Sequence, residues 1–201
     1  MKPIVLLLLC ALPACAALKA GDAPVTMRLS PTFAPNQPIA APSFTVAAVQ
    51  ARGLSGGMRY AYVDATAPGE IHQAATYFWE EPPADSLARA LVAGLRSRFA
   101  TVTGPSLALA ADRRVVATLD RFEEVSAAHG AQAVVSFDVT QVAQNQAGGG
   151  KAIWAGRYCA TRPIGSAAGT VRAAAFQGAI EQAVAAFVQD VASGTVTAAS
   201  C

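Results

Sequence analysis

Few residues in this chain are placed for covalent chemistry. The two histidines, His72 and His129, fall in expected turns, and neither has Cys, Asp or Glu at a ligand spacing such as HExxH or CxxC. No metal site is expected. Glu80-Glu81 and Glu123-Glu124 are adjacent pairs. On a strand, neighbours point to opposite faces, so neither pair can share a proton by itself. There is no Gly-x-Ser-x-Gly elbow. Gly53–Gly57 lacks the Lys-Ser/Thr of a phosphate loop, and Gly148–Gly150 opens no expected helix. The reading is a protein without catalytic residues, without a cofactor and without an ATP site of its own.

Cysteine offers more. Lys2 is followed by the apolar run Ile4–Leu9, too short to span a bilayer. Leu12-Pro13-Ala14-Cys15 then resembles a bacterial lipobox. In that chemistry the Cys15 thiolate takes a diacylglycerol as a thioether, and the amine freed by cleavage is acylated. Several chains anchor far more firmly than one, at roughly 0.8 kcal/mol per buried methylene. An ordinary secretory cleavage within Ala14–Ala17 is the alternative. The expected division is a signal peptide over 1–14 and a lipid attachment site at Cys15.

A third group is aromatic: Tyr60, Tyr62, Tyr77 and Trp79. Amphipathic rings suit an apolar surface that is wet at its rim, so these four are candidates for a ligand or partner groove. The alternative is a core in which Trp79 fixes a strand-to-helix corner.

The elements that would position these groups read as follows. Residues 16–42 carry five prolines among small residues, which favours extended chain and a tether. The domain is expected over 43–195, with a tail over 196–201. Phe44–Gln50 and Met58–Asp64 are strand candidates, the second with Met58, Tyr60 and Tyr62 on one face. Tyr77-Phe78-Trp79 favours a strand. Pro82-Pro83 stops it, and Leu87, Leu91, Leu95 and Phe99 mark one face of a helix whose first turn holds Asp85. Arg114–Val125, Gln132–Val142 and Lys151–Ala160 alternate as half-buried strands. Thr170–Ser193 is a second helix, with Thr170 as its cap and Gly194 ending it. The fold class is α+β: a single mixed, largely antiparallel sheet with two helices packed on one face. The formal net charge of +2 and the absence of a basic block argue against nucleic acid.

Trp79-x-x-Pro82 ahead of a Leu-rich helix, together with this layout over roughly Pro42 to Ser193, resembles the ABC-type transport auxiliary lipoprotein family. Those are lipoprotein partners of MCE-type lipid transporters, including the paraquat-inducible system. The resemblance implies an auxiliary subunit for lipid trafficking, on the periplasmic face of the outer membrane. Its partners would be an MCE-domain protein and an ABC permease, with phospholipid a candidate ligand. Ala16, where an Asp would retain a lipoprotein in the inner membrane, fits that address. The alternative is a binding module of another envelope complex. The family's aromatic pair near the N-terminus is replaced here by Thr26-Met27-Arg28-Leu29, which leaves docking of the tether open. Once Cys10 is cleaved away and Cys15 lipidated, Cys159 and Cys201 remain, an even count in an oxidising compartment. A Cys159–Cys201 disulfide is expected, with two free thiols as the alternative.

Overall fold

Three consecutive runs of alternating apolar residues form fifteen-residue strands, and they set the size of the sheet. The computed structural model describes residues 23–107, 110–144 and 150–195. In chain order the elements are β1 (Val25–Met27), β2 (Phe44–Val46), β3 (Gln50–Ala51), β4 (Arg59–Asp64), β5 (Ile71–Trp79), α1 (Pro83–Arg96), β6 (Val102–Thr103), β7 (Arg113–Ala127), β8 (Gly130–Gln144), β9 (Gly150–Ile164) and α2 (Gly169–Ser193). Cys15 and Cys201 lie outside the described residues, as do the signal peptide and the tail.

β7, β8 and β9 form an antiparallel meander. The other edge of β7 is covered by three short strands in succession, all parallel to it. β2 pairs at Arg113–Val115, β3 at Thr118–Leu119 and β4 at Glu124–Ser126. β5 adds antiparallel to β4, β1 adds parallel to β5, and β6 adds parallel to β2. The result is the expected mixed sheet, largely antiparallel by ladder length, with both helices packed against it.

Inward residues follow the alternation until a register shift intervenes. Val115, Ala117 and Leu119 are buried, and the shift between Leu119 and Arg121 then turns Phe122 and Glu124 inward. A second shift, between Arg59 and Ala61, buries Tyr60 and Ala61 together and leaves Tyr62 exposed. The expected shared face of Met58, Tyr60 and Tyr62 is therefore corrected. His72 is also corrected, from a turn to β5, because the β4–β5 hairpin places it opposite Tyr62.

Each helix puts its apolar stripe into the core. Leu87, Leu91 and Leu95 of α1 and Phe176, Ile180, Val184 and Phe187 of α2 are buried. Each such side chain is worth roughly 1.5–3 kcal/mol over exposure. α1 starts on Pro83 with Asp85 in its first turn. α2 starts at Gly169 after Ala168, with no side-chain cap, so Thr170 is not the expected cap. A β-carbon at Gly169 would stand 3.0 Å from Val25 Cγ1, so a glycine lets the helix start sit close on β1. Gly194 ends α2 at φ 72°.

The segment expected as a tether is docked from Val25 onward. β1 pairs with Tyr77–Trp79, and Met27 and Leu29 are buried. The chain then runs along the helices. Ser30 N donates to Gln177 Oε1 at 3.3 Å, Thr32 N to Glu181 Oε1 at 2.8 Å, and Asn36 N to Ser97 O at 2.8 Å. Proline spacing blocks helix, but the N–H groups between the prolines remain free to bond elsewhere. Two apolar anchors and those donors hold the segment down.

Candidate functional site

The four aromatic candidates separate. Tyr60 and Trp79 are 1% and 2% exposed, and they pack with Phe122 and Phe176 at ring-centroid distances of 4.6–5.7 Å. Tyr77 is half-buried beside Tyr60 at 6.2 Å, with its hydroxyl 3.3 Å from Ala167 O. Tyr62 is 37% exposed and stacks on His72, away from the other three. Three of the four thus come together as a core cluster, not as the wall of a groove.

A buried polar group ties this cluster to the sheet. Arg172 of α2 lies over the rings of Tyr60 and Tyr77, at 5.1 and 4.7 Å. Its Nε donates to Glu124 Oε2, which also accepts from the Tyr60 hydroxyl. Burial pushes the Tyr60 phenol up, and Glu124 pushes it further. Burial is the largest influence on Arg172 and would lower it, but the charge and hydrogen bond of Glu124 together with the Tyr60 and Tyr77 phenols outweigh it, and the net shift is upward. Tyr158 repeats the device near the other end of α2: burial first, then its bond to Asp190 at 2.9 Å, raises its phenol. Both arrangements are saturated with partners and read as structural.

The open cleft lies elsewhere, along α1. It encloses about 770 Å³. Its floor is Ala88, Val92 and Ala93, one wall is Phe33 and Pro35 of the docked N-terminal segment, and the other is Gly104–Leu107 beyond β6. Leu107 is 55% exposed. Asp85, Arg89 and Arg96 also line it. Arg89 is paired with Glu81. Arg96 instead holds the Val102 carbonyl through Nε and Nη2, at 3.2 and 3.1 Å. A smaller cleft of about 390 Å³ lies on the far side of Phe33, against α2. The volume and lining suit an apolar ligand with a few polar contacts. Sequence reasoning missed this site. Its signals were slight: Phe33 between two prolines, and Leu107 just past Gly104-Pro105.

Among the described residues no group of three His, Cys, Asp or Glu could hold a metal ion. No described helix is long and apolar enough to cross a membrane. Cys159 is half-buried on β9 and is disulfide-bonded.

The sequence model of the ABC-type transport auxiliary lipoprotein component matches residues 58–192, well over half the chain. The chain belongs to that family. As an ABC transport auxiliary lipoprotein it is tied to an ABC-type transport system and, as a lipoprotein, to the cell envelope; the family is not one of enzymes. No curated protein matches the chain by sequence. Two solved structures show the same fold. Protein XCC0632 from Xanthomonas campestris is 20% identical, with a TM-score of 0.71 over 85% of this chain and 99% of that one. The hypothetical protein CT253 from Chlamydia trachomatis is 11% identical, with a TM-score of 0.51 over 77% of this chain and 99% of that one. In this auxiliary lipoprotein the matched stretch begins at Met58. The docked segment that walls the cleft therefore lies before it.

Proposed function

We propose that this auxiliary lipoprotein is anchored through Cys15 to the periplasmic face of the outer membrane. There it serves an MCE-type ABC system that moves lipid across the envelope. The observation that carries this reading is the family match over residues 58–192 behind a Leu12-Pro13-Ala14-Cys15 sequence. Its role is to bind and to hold. The MCE-domain protein and permease are its partners, and another subunit hydrolyses ATP. Residues 1–14 are the cleaved signal, and 16–24 are the span between the anchor and β1.

The test is capture of the full acylated protein from its native envelope under mild detergent. Co-purification of an MCE-domain protein, a permease and an ATPase is expected. Reproducible recovery of a different envelope complex instead would replace the MCE assignment. Labelling with a fatty-acid analogue should mark the wild type and not Cys15→Ala; equal labelling of both removes the anchor. Cys159 is proposed to pair with Cys201. Thiol titration of the denatured, unreduced protein should find neither one free, with a monomeric mass on non-reducing gels. A dimer there would point instead to pairing between chains.

A further inference from the structure

We infer that the cleft along α1 holds one acyl chain of an anionic phospholipid, with the phosphate on Arg96. The inference rests on the lipid-transport reading and gives it a site. Three observations carry it. The floor and both walls are apolar, from Ala88, Val92, Phe33 and Leu107, and the volume of about 770 Å³ falls within the range of sites that take small amphiphiles. The cleft follows α1 from Asp85 to Arg96, about 16 Å of helix, which suits an extended chain better than a compact head. Its charges are also unequal.

Arg89 is compensated by Glu81, but Arg96 pairs with no carboxylate among the described residues. Its two bonds to the Val102 carbonyl fix the guanidinium without neutralising it. With the Nε edge held by that carbonyl, the Nη1 end of a positioned, uncompensated guanidinium is the edge turned to a phosphate. Asp85, at the other end of α1, repels an anion there, so the polarity is set: head at Arg96, chain along Val92 and Ala88. A peptide added as a strand would need main-chain partners that a floor of Ala and Val side chains does not supply.

Phosphatidylethanolamine vesicles doped with phosphatidylglycerol that carries a photoreactive group in its acyl chain provide the test. They are loaded with the full acylated protein and irradiated. Adducts are expected on the peptides containing Ala88–Ala93 and Pro105–Leu107. Ala93→Trp fills the cleft from a half-exposed position and should cut labelling about ten-fold, equivalent to about 1.4 kcal/mol. Its melting temperature is measured alongside. Leu107→Asp, on an exposed wall, should cut labelling as well, and it serves if the Trp variant misfolds. Arg96→Gln should lose the preference for the phosphatidylglycerol probe over a phosphatidylcholine probe, and Arg96→Lys should keep part of it.

Equal labelling of wild type and both cleft variants overturns the inference. So do adducts confined to other peptides, or labelling by a photoreactive free fatty acid with none by the phospholipid. Co-purification with transport subunits is scored separately. Lost labelling with intact co-purification sinks the cleft and spares the transport reading; the converse result does the reverse.

Discussion

Arg172 on α2 donates its Nε–H to Glu124 on β7 at 3.0 Å, and their side chains are 16% and 7% exposed. Glu124 also takes bonds from the hydroxyls of Tyr60 and Ser126. Removing the arginine would leave a buried carboxylate beside two hydroxyls and no cation. Arg172→Ala is therefore expected to cost about 3 kcal/mol, read as a lower denaturant midpoint. Arg172→Lys should recover only part, because an ammonium neither forks nor stacks over Tyr60 and Tyr77. Replacing both partners by apolar residues should cost less than Arg172→Ala alone.

Gly94 of α1 packs directly against Val184 and Val188 of α2. A β-carbon there would fall 2.6 Å from Val184 Cγ1 and 3.5 Å from Phe33 Cε1. Val184 is fully buried and has little room to give. Overpacking costs about 1–3 kcal/mol, and the helix-propensity gain of alanine offsets about 1. Gly94→Ala should thus lose about 1 kcal/mol. A double-mutant cycle with Val184→Ala should show coupling of at least about 0.5 kcal/mol.

The N-terminal segment should divide sharply in its tolerance. Replacing residues 16–22 by an unrelated Pro/Ala stretch of equal length should leave stability unchanged. Replacing Val25–Phe33 should lower the melting temperature, because it removes β1, buried Met27 and Leu29, and the Arg28–Glu80 ion pair. Leu29→Asp alone should cost about 2 kcal/mol by burying an unpaired charge. An unchanged melting temperature in both replacements would mean that the segment is a spacer throughout.

Two of the four tyrosines should resist alkaline titration. Tyr60 and Tyr158 are raised above 10, by burial first and by Glu124 and Asp190 second. A folded pKa above the unfolded value stabilises fully below about pH 10. That contribution is lost as pH rises through the folded value. Tyr60 and Tyr158 should therefore ionise only as the protein unfolds, read as phenolate absorbance that rises together with the loss of structure. Ionisation of Tyr60 and Tyr158 while the protein is still folded would contradict the buried bonds.

Much of the fold was legible in the residues. The periods of two in the long strands and of four in Leu87–Leu95 require one dry face each, and only a sheet under two helices satisfies them together. Pro82-Pro83 and Gly194 mark their boundaries by backbone chemistry that needs no partner. The family, too, was legible from Trp79-x-x-Pro82 and the element order. Tertiary structure alone decided which aromatics meet. The register shifts at Arg59/Ala61 and Leu119/Arg121 reverse the facing of every later residue on their strands, and no local periodicity announces them. It also decided the fate of residues 25–42. Their prolines dictate an extended chain, but whether that chain is free or docked depends on acceptors such as Glu181 and Ser97, more than fifty residues away. The cleft follows from the same cause: its floor is on α1, but one wall exists only because Phe33 is brought back across the helix.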